Sequence, residues 1–175
     1  MLKSSALGFL PEFLKDKVPA TFRETARLRL FGLFKIPVIF FVGPKVMEID
    51  DEHCVIEIPL NRRTRNHYRS MYFGVMAAGA DLGAGLMAQF LAEKHAGGKI
   101  GILFKDFKAD FLKRAEGDTR FICEEGQKIR EAISAAMETK ERQNLPVRVY
   151  ATVPSKSGSE PVAEFVLTLS LKAKA

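Results

Sequence analysis

The sequence predicts an α+β fold in which a mostly antiparallel sheet wraps around one long central helix. Three observations lead there. Residues 71–94 are apolar on nearly every side, show no strand alternation and contain Val75 as the only β-branched residue, so they read as a helix buried all round. Gly79, Gly83 and Gly85 lie inside that helix, where each glycine costs about 1 kcal/mol relative to alanine. Such a cost fits a helix pressed against another backbone, here a sheet. Finally, the segments on either side alternate apolar and polar residues between short polar turns, the pattern of paired strands.

In chain order, residues 7–34 read as helical. Phe9, Leu10, Phe13 and Leu14 repeat at helical spacing, Pro19 breaks the run, and Thr21 with Glu24 can cap a second helix. Phe22, Ala26, Leu30 and Leu33 then form one apolar face, suited to dock on the domain, to cover an apolar pocket or to lie as an interfacial helix on a membrane. Strands at 45–50 and 53–60 flank the turn Asp50-Asp51-Glu52, and Cys54, Ile56, Ile58 and Leu60 share a face. A loop at 61–70 leads into the helix at 71–94, which His95-Ala96-Gly97-Gly98 ends. Residues 100–115 form a long strand. Its apolar parity switches between Phe104 and Phe107, which predicts a bulge near Lys105. A strand at 118–125, an amphipathic helix at 127–140, a strand opening at Pro146, a turn at 155–159 and a last strand through Ala163, Phe165, Leu167, Leu169 and Leu171 complete the chain. Residues 1–44 are thus expected to pack as a helical addition on one domain spanning 45–175.

The 175 residues carry a formal charge of +6, which favours anionic partners as well as solubility. The densest basic cluster is Arg62, Arg63, Arg65 and Arg69, just before the central helix, with Tyr68 as its one interleaved aromatic. That is weak support for nucleic-acid stacking, and no nucleic-acid partner is expected. No secretory signal is visible, and the most apolar run, 36–42, is too short to span a bilayer. A cytoplasmic protein without membrane contact is the expectation. Cys54 and Cys123 read as buried free thiols. No metal-ligand spacing, phosphate-cradling glycine loop or nucleophile elbow is present, and no metal or separate cofactor is expected.

One motif carries chemistry. Asn66 stands six residues before Tyr72, and Asp81 stands seven after Gly74, with Tyr72-Phe73-Gly74 between them. Asp81 is the one ionisable residue in the apolar part of the helix, an expensive placement unless it is paired or functional. This spacing resembles the phenylacetyl-CoA thioesterase-like branch of the hotdog-fold superfamily, and within it a group of uncharacterised hotdog proteins with an added N-terminal helical segment. In that branch an Asn lies six residues before a His-Gly-Gly, and an Asp lies seven after its second Gly. The strand–strand–helix–strands order also resembles the hotdog fold. Tyr72 and Phe73 depart from the motif, and a large side chain at 73 narrows the acyl site or blocks it.

The resemblance implies an acyl-CoA thioesterase-like protein, with coenzyme A entering only as part of the substrate. Asp81 would act as general base or nucleophile. Asn66 would orient a water or hold the carboxylate, and Gly74 at the helix start would let the thioester oxygen reach the free N–H groups there. Tyr72 and Phe73 would line the acyl site, and Arg62, Arg63, Arg65 or Arg69 would meet the CoA phosphates. Such sites often form between two subunits, so a homo-oligomer, dimer or tetramer, is expected. The alternative is a non-catalytic hotdog protein that binds an acyl group or fatty-acid derivative. Asp81 as a structural partner of an arginine at a dimer interface, and Asn66 as an ordinary loop residue, are the corresponding structural readings.

Overall fold

Alternating burial in the strand segments dictates a sheet with one wet and one dry face. The computed structural model, which describes residues 19–174, contains that sheet. Its strands are β1 (Lys45–Ile49), β2 (Cys54–Ile58), β3 (Ile100–Phe111), β4 (Thr119–Cys123), β5 (Gln143–Thr152) and β6 (Pro161–Ala173). They run in the order β1-β2-β4-β5-β6-β3, each antiparallel to its neighbour. The helices are α1 (Ala20–Lys35), α2 (Pro37–Val42), α3 (Phe73–Ala96), α4 (Gly126–Thr139) and the short α5 (Pro154–Ser157). The sheet wraps around α3, which is the hotdog arrangement expected from the sequence.

Packing explains the pattern in α3. A Cβ on Gly79 would run into the ring of Phe121, and one on Gly83 would come within 3.3 Å of Val149 Cγ1. Glycine at these two positions lets the helix settle onto β4 and β5. Met76, Ala80, Ala84, Met87, Ala88 and Leu91 fill the rest of the contact. By length and hydropathy α3 would pass for a membrane span, but most of it is buried in this core. Cys54 and Cys123 oppose each other across β2 and β4 as buried free thiols, and burial pushes the Cys123 thiol up to about 11.

Several expectations shift. The central helix begins at Phe73 rather than Met71, because backbone bonds hold the preceding residues extended. Met71 N–H donates to Ala115 O (2.8 Å), and Tyr72 N–H donates to Thr64 O (2.8 Å). Pro146 lies inside β5 rather than opening it. It pairs with Thr168 in a stretch that β4 does not border, where a missing N–H is tolerated as on an edge. The bulge of β3 falls between Phe104 and Phe107, as its parity switch predicts. The helix at 7–14 lies outside the described residues.

The expectation that α3 is buried all round is corrected. One stripe, through Gly74, Ala77, Ala78, Asp81, Gly85 and Gln89, is left partly open, because one chain's sheet covers only one side of the helix. The apolar face of α1 is not docked on the domain either. The helix is capped from Pro19, not Thr21, and presents Thr25, Leu28 and Arg29 inward. The oxygen Oγ1 of Thr25 accepts from Val46 N–H (2.8 Å), and Arg29 Nε donates to Pro44 O (3.1 Å).

Candidate active site on the open face of the central helix

Asp81 stands in the middle of the open stripe. It is the only acid between Phe73 and Gln89, and it makes no hydrogen bond or ion pair among the described residues. No arginine of the same chain pairs with it among the described residues. Burial pushes the Asp81 carboxyl above the usual carboxylate range. Next to it, a Cβ on Gly85 would lie 3.6 Å from Asp81 Oδ1 and 3.4 Å from Phe104 Cζ. Gly85 therefore keeps a small gap between the carboxylate and the aromatic face of β3.

That face is unusual. Phe104, Phe107 and Phe111 are 38%, 44% and 52% exposed, although Phe107 and Phe111 pack on the buried Phe165. They sit at the edge of the sheet, since β3 has a partner only in β6. The sequence reading missed Phe104 as a neighbour of Asp81. Its only signal was the parity switch at the bulge, which does not say what faces the helix.

The N-terminal end of α3 supplies the second group. Tyr72 O accepts the N–H groups of Val75 (2.9 Å) and Met76 (3.0 Å), and no side chain caps the end. The N–H groups of Phe73 and Gly74 are the ones a helix leaves unpaired at its start. The ring of Tyr72 lies against Gly74, with Cε1 2.7 Å from where a Cβ would be. Phe73 stacks edge-on against Tyr72 at 4.8 Å between ring centroids. Both rings are exposed on their outer side, so Tyr72 covers the flank of Gly74 without being fixed in a core.

Asn66 is committed to its own loop. Its Oδ1 accepts from Tyr68 N–H (2.9 Å) and Ser70 N–H (3.2 Å), and its Nδ2 donates to Ser70 Oγ (3.1 Å). This turn shapes the approach to α3 and holds Arg69 at φ 65, a conformation non-glycine residues seldom adopt. One amide hydrogen of Asn66 keeps no partner in these bonds. Arg62, Arg63, Arg65 and Arg69 are exposed and meet no carboxylate among the described residues. Arg63 lies 5.9 Å from the Phe41 ring centroid. Arg114, which the sequence reading did not include, joins the cluster 5.6 Å above the ring of Tyr68. The Met71–Ala115 bond brings it there.

Two concavities of the surface lie elsewhere. One is lined by His95, Gln127, Arg130 and Glu131 beside α4, and the other by Met47, Val55, Arg120 and Tyr150 on the outer face of the sheet. Neither contains Asp81 or Gly74.

A long helix clasped by an antiparallel sheet in the order β1-β2-β4-β5-β6-β3 is the hotdog fold. Within that class, residues 25–170 match the domain of unknown function DUF4442, and the chain belongs to that family. No curated protein matches the sequence. Among solved structures, a protein of unknown function from Chlorobaculum tepidum is similar with a TM-score of 0.74 at 13% identity, over 88% of this chain and 97% of its own. A Pseudomonas aeruginosa protein of unknown function, for which a thioesterase assignment is offered, is similar at 0.70 and 21%, over 85% and 95%. A thioesterase from Haemophilus influenzae is similar at 0.60 and 14%, over 82% and 88%. These likenesses establish the fold.

Proposed function

We propose that this protein hydrolyses an acyl-CoA-type thioester at a site shared between two copies of the chain. The observation that carries the reading is Asp81, a lone, half-buried carboxylate with a raised pKa on the open face of an otherwise apolar stripe. A buried carboxylate without a partner in its own chain is costly unless it serves substrate, water or a group brought by a second copy, and the Asn66–Gly74–Asp81 spacing favours the first two.

Helix geometry argues for two copies. Asp81 lies seven residues beyond Gly74, or about 10 Å along the axis at 1.5 Å per residue. A general base and the oxyanion donors must both lie about 3 Å from one reacting carbonyl or its water. One helix cannot meet that with both groups. A two-fold partner whose helix runs antiparallel across the open stripe sets its own N-terminus beside Asp81. The half-exposed edge strand β3, with Phe104, Phe107 and Phe111, is the surface such a partner would cover. Homodimer formation is therefore part of the proposal.

In the reaction, Asp81 takes a proton from water as the water oxygen bonds to the thioester carbon. The developing oxyanion is held by the N–H groups of Phe73 and Gly74 from the other copy. Collapse breaks the C–S bond, and the proton passes to the departing CoA sulfur. Direct attack by Asp81, through an anhydride that water then opens, uses the same geometry. Asn66 contributes its remaining amide hydrogen to the water and holds the loop. Arg62, Arg63, Arg65 and Arg69 attract the phosphates of CoA.

One observation favours the second reading, a non-catalytic acyl-binding protein. The Tyr72 ring occupies the flank of Gly74 that a thioester would approach, so turnover needs the ring to swing outward. A panel of short, medium and aryl acyl-CoA substrates with wild type, Asp81→Ala and Asp81→Asn separates the two. Hydrolysis lost in both variants supports the enzyme. Equal rates in all three, with acyl-CoA still bound, support the binding protein.

A further inference from the structure

The hairpin formed by α1 and α2 is built to face outward. Gly32 lets α2 fold tightly back on α1: a Cβ there would lie 2.7 Å from Phe40 N. The inward side of α1 is held by polar bonds, from Val46 to Thr25 and from Arg29 to Gly43 O (3.3 Å) and Pro44 O. Those bonds fix the rotation of the helix. The consequence is that its apolar stripe, Phe22, Leu30 and Phe34, points away from the core and continues into Val38 and Phe41 on α2. Phe34 is 71% exposed, more than any other large apolar side chain among the described residues. Burial alone would have turned this helix over, since its docked side includes Thr25 and Arg29.

The patch is bordered by the paired Arg27, Glu24 and Glu93 and by an excess of unpaired cations. Arg23, Lys35, Arg62 and Arg63 meet no carboxylate among the described residues, and Arg63 lies over Phe41. An apolar patch with net positive charge at its border, on a chain of net charge +6, repels a second copy of itself and complements a negatively charged surface. Phenylalanines that insert among acyl chains, with Lys and Arg at headgroup level, are the elements of an interfacial anchor.

We infer that the α1–α2 hairpin docks this protein on an anionic lipid membrane, with Phe34 and Phe41 inserted and Arg23, Lys35, Arg62 and Arg63 against the headgroups. This takes up the interfacial-helix alternative for the segment, against the general expectation of no membrane contact. The sequence shows the apolar stripe of α1 but not that polar bonds turn it outward. The inference shares Arg62 and Arg63 with the thioesterase reading, so its test changes only Phe34, Phe41 and Lys35.

The test is sedimentation of the full chain with vesicles of phosphatidylcholine, alone or mixed with phosphatidylglycerol. The wild type is expected to bind the mixed vesicles and to lose binding as salt rises. The double variant Phe34→Ser with Phe41→Ser is expected to partition at least about tenfold less, since two exposed aromatic groups no longer leave water. Its melting temperature should be unchanged. Lys35→Glu, a change at an exposed position, is expected to cut binding several-fold, and it keeps the test decisive should the serine pair fold poorly. Absence of binding to mixed vesicles, or wild-type binding by both variants, overturns the inference. Equal binding to neutral vesicles overturns the anionic assignment. A wild type that ignores vesicles but dissociates to smaller species when Phe34 and Phe41 are replaced shows that the patch seats a second copy instead.

Discussion

The two sides of α3 use the same residue types for different ends. On the packed side, Gly79 and Gly83 are small because Phe121 and Val149 need the space. On the open side, Gly74 and Gly85 have only movable or distant neighbours: the Tyr72 ring for one, Phe104 and Asp81 at ordinary contact distance for the other. The packed side has no ionisable group. The open side carries Asp81 with no partner in the chain. A glycine-rich helix is therefore two signals superimposed, one about fitting a sheet and one, on the proposed function, about leaving room for substrate and a second copy.

Mutations can separate those signals. The largest effect expected is on activity: Asp81→Asn should lower thioester hydrolysis about a thousandfold, the scale of losing a general base. Stability should move the other way. The folded-state pKa of Asp81 lies above its unfolded value, so the native state binds the extra proton between the two. Stability should fall as pH rises from near 3.8 through the folded pKa. Asp81→Asn should therefore be more stable than wild type at neutral pH, with the gap closing in acid, as urea melts across pH would record. A gap that widens in acid would mean that Asp81 has a stabilising partner.

Next in size is Gly79→Ala. Its Cβ would run into the buried Phe121 ring, and the overpacking should cost about 2 kcal/mol, read from thermal or urea unfolding. An unchanged melting temperature would show that Phe121 can yield and that the close approach is not what the glycine serves.

Smaller again is the effect of Arg62→Ala with Arg65→Ala. Acyl-CoA binding should weaken by roughly tenfold at low salt, and binding of the matching acyl-pantetheine, which lacks the nucleotide phosphates, should change little. Titration calorimetry of both ligands reads this, and equal losses would detach the cluster from the nucleotide.

The smallest stability effect belongs to Gly85→Ala. The contacts there are ordinary, and alanine favours the helix by up to about 1 kcal/mol, so this variant should melt slightly higher than wild type. It should also hydrolyse thioesters more slowly, because the methyl group fills the gap between Asp81 and Phe104. A stable, fully active Gly85→Ala would place substrate elsewhere.

The sheet was largely legible in the sequence, because strand alternation and the bulge in β3 are local patterns. The end of α3 at Gly97, in the left-handed conformation, was equally local. The start of α3 was not, since Met71 and Tyr72 are held by Ala115 and Thr64 through bonds that spacing does not reveal. Asp81 stood out as a lone acid in an apolar run, but Phe104 and Arg114 reach the site only through tertiary pairing. The outward apolar face of α1 was hidden for the same kind of reason: Thr25 finds its partner in β1 and Arg29 in the segment leading into it, and those partners outrank the apolar stripe in setting the helix rotation.

The central claim is that the open side of α3 is half of a shared site, and subunit complementation tests it most directly. Asp81→Asn disables the base. Gly74→Asp places a carboxylate against the developing oxyanion, at a helix start whose dipole favours an acid and so supports folding. Each variant alone should be inactive. Unfolded together and refolded at equal amounts, they should recover about a quarter of wild-type activity, because half of the randomly paired dimers are mixed and each mixed dimer holds one intact site of two. Two folded, dimeric variants that stay inactive after mixing would contradict the shared site.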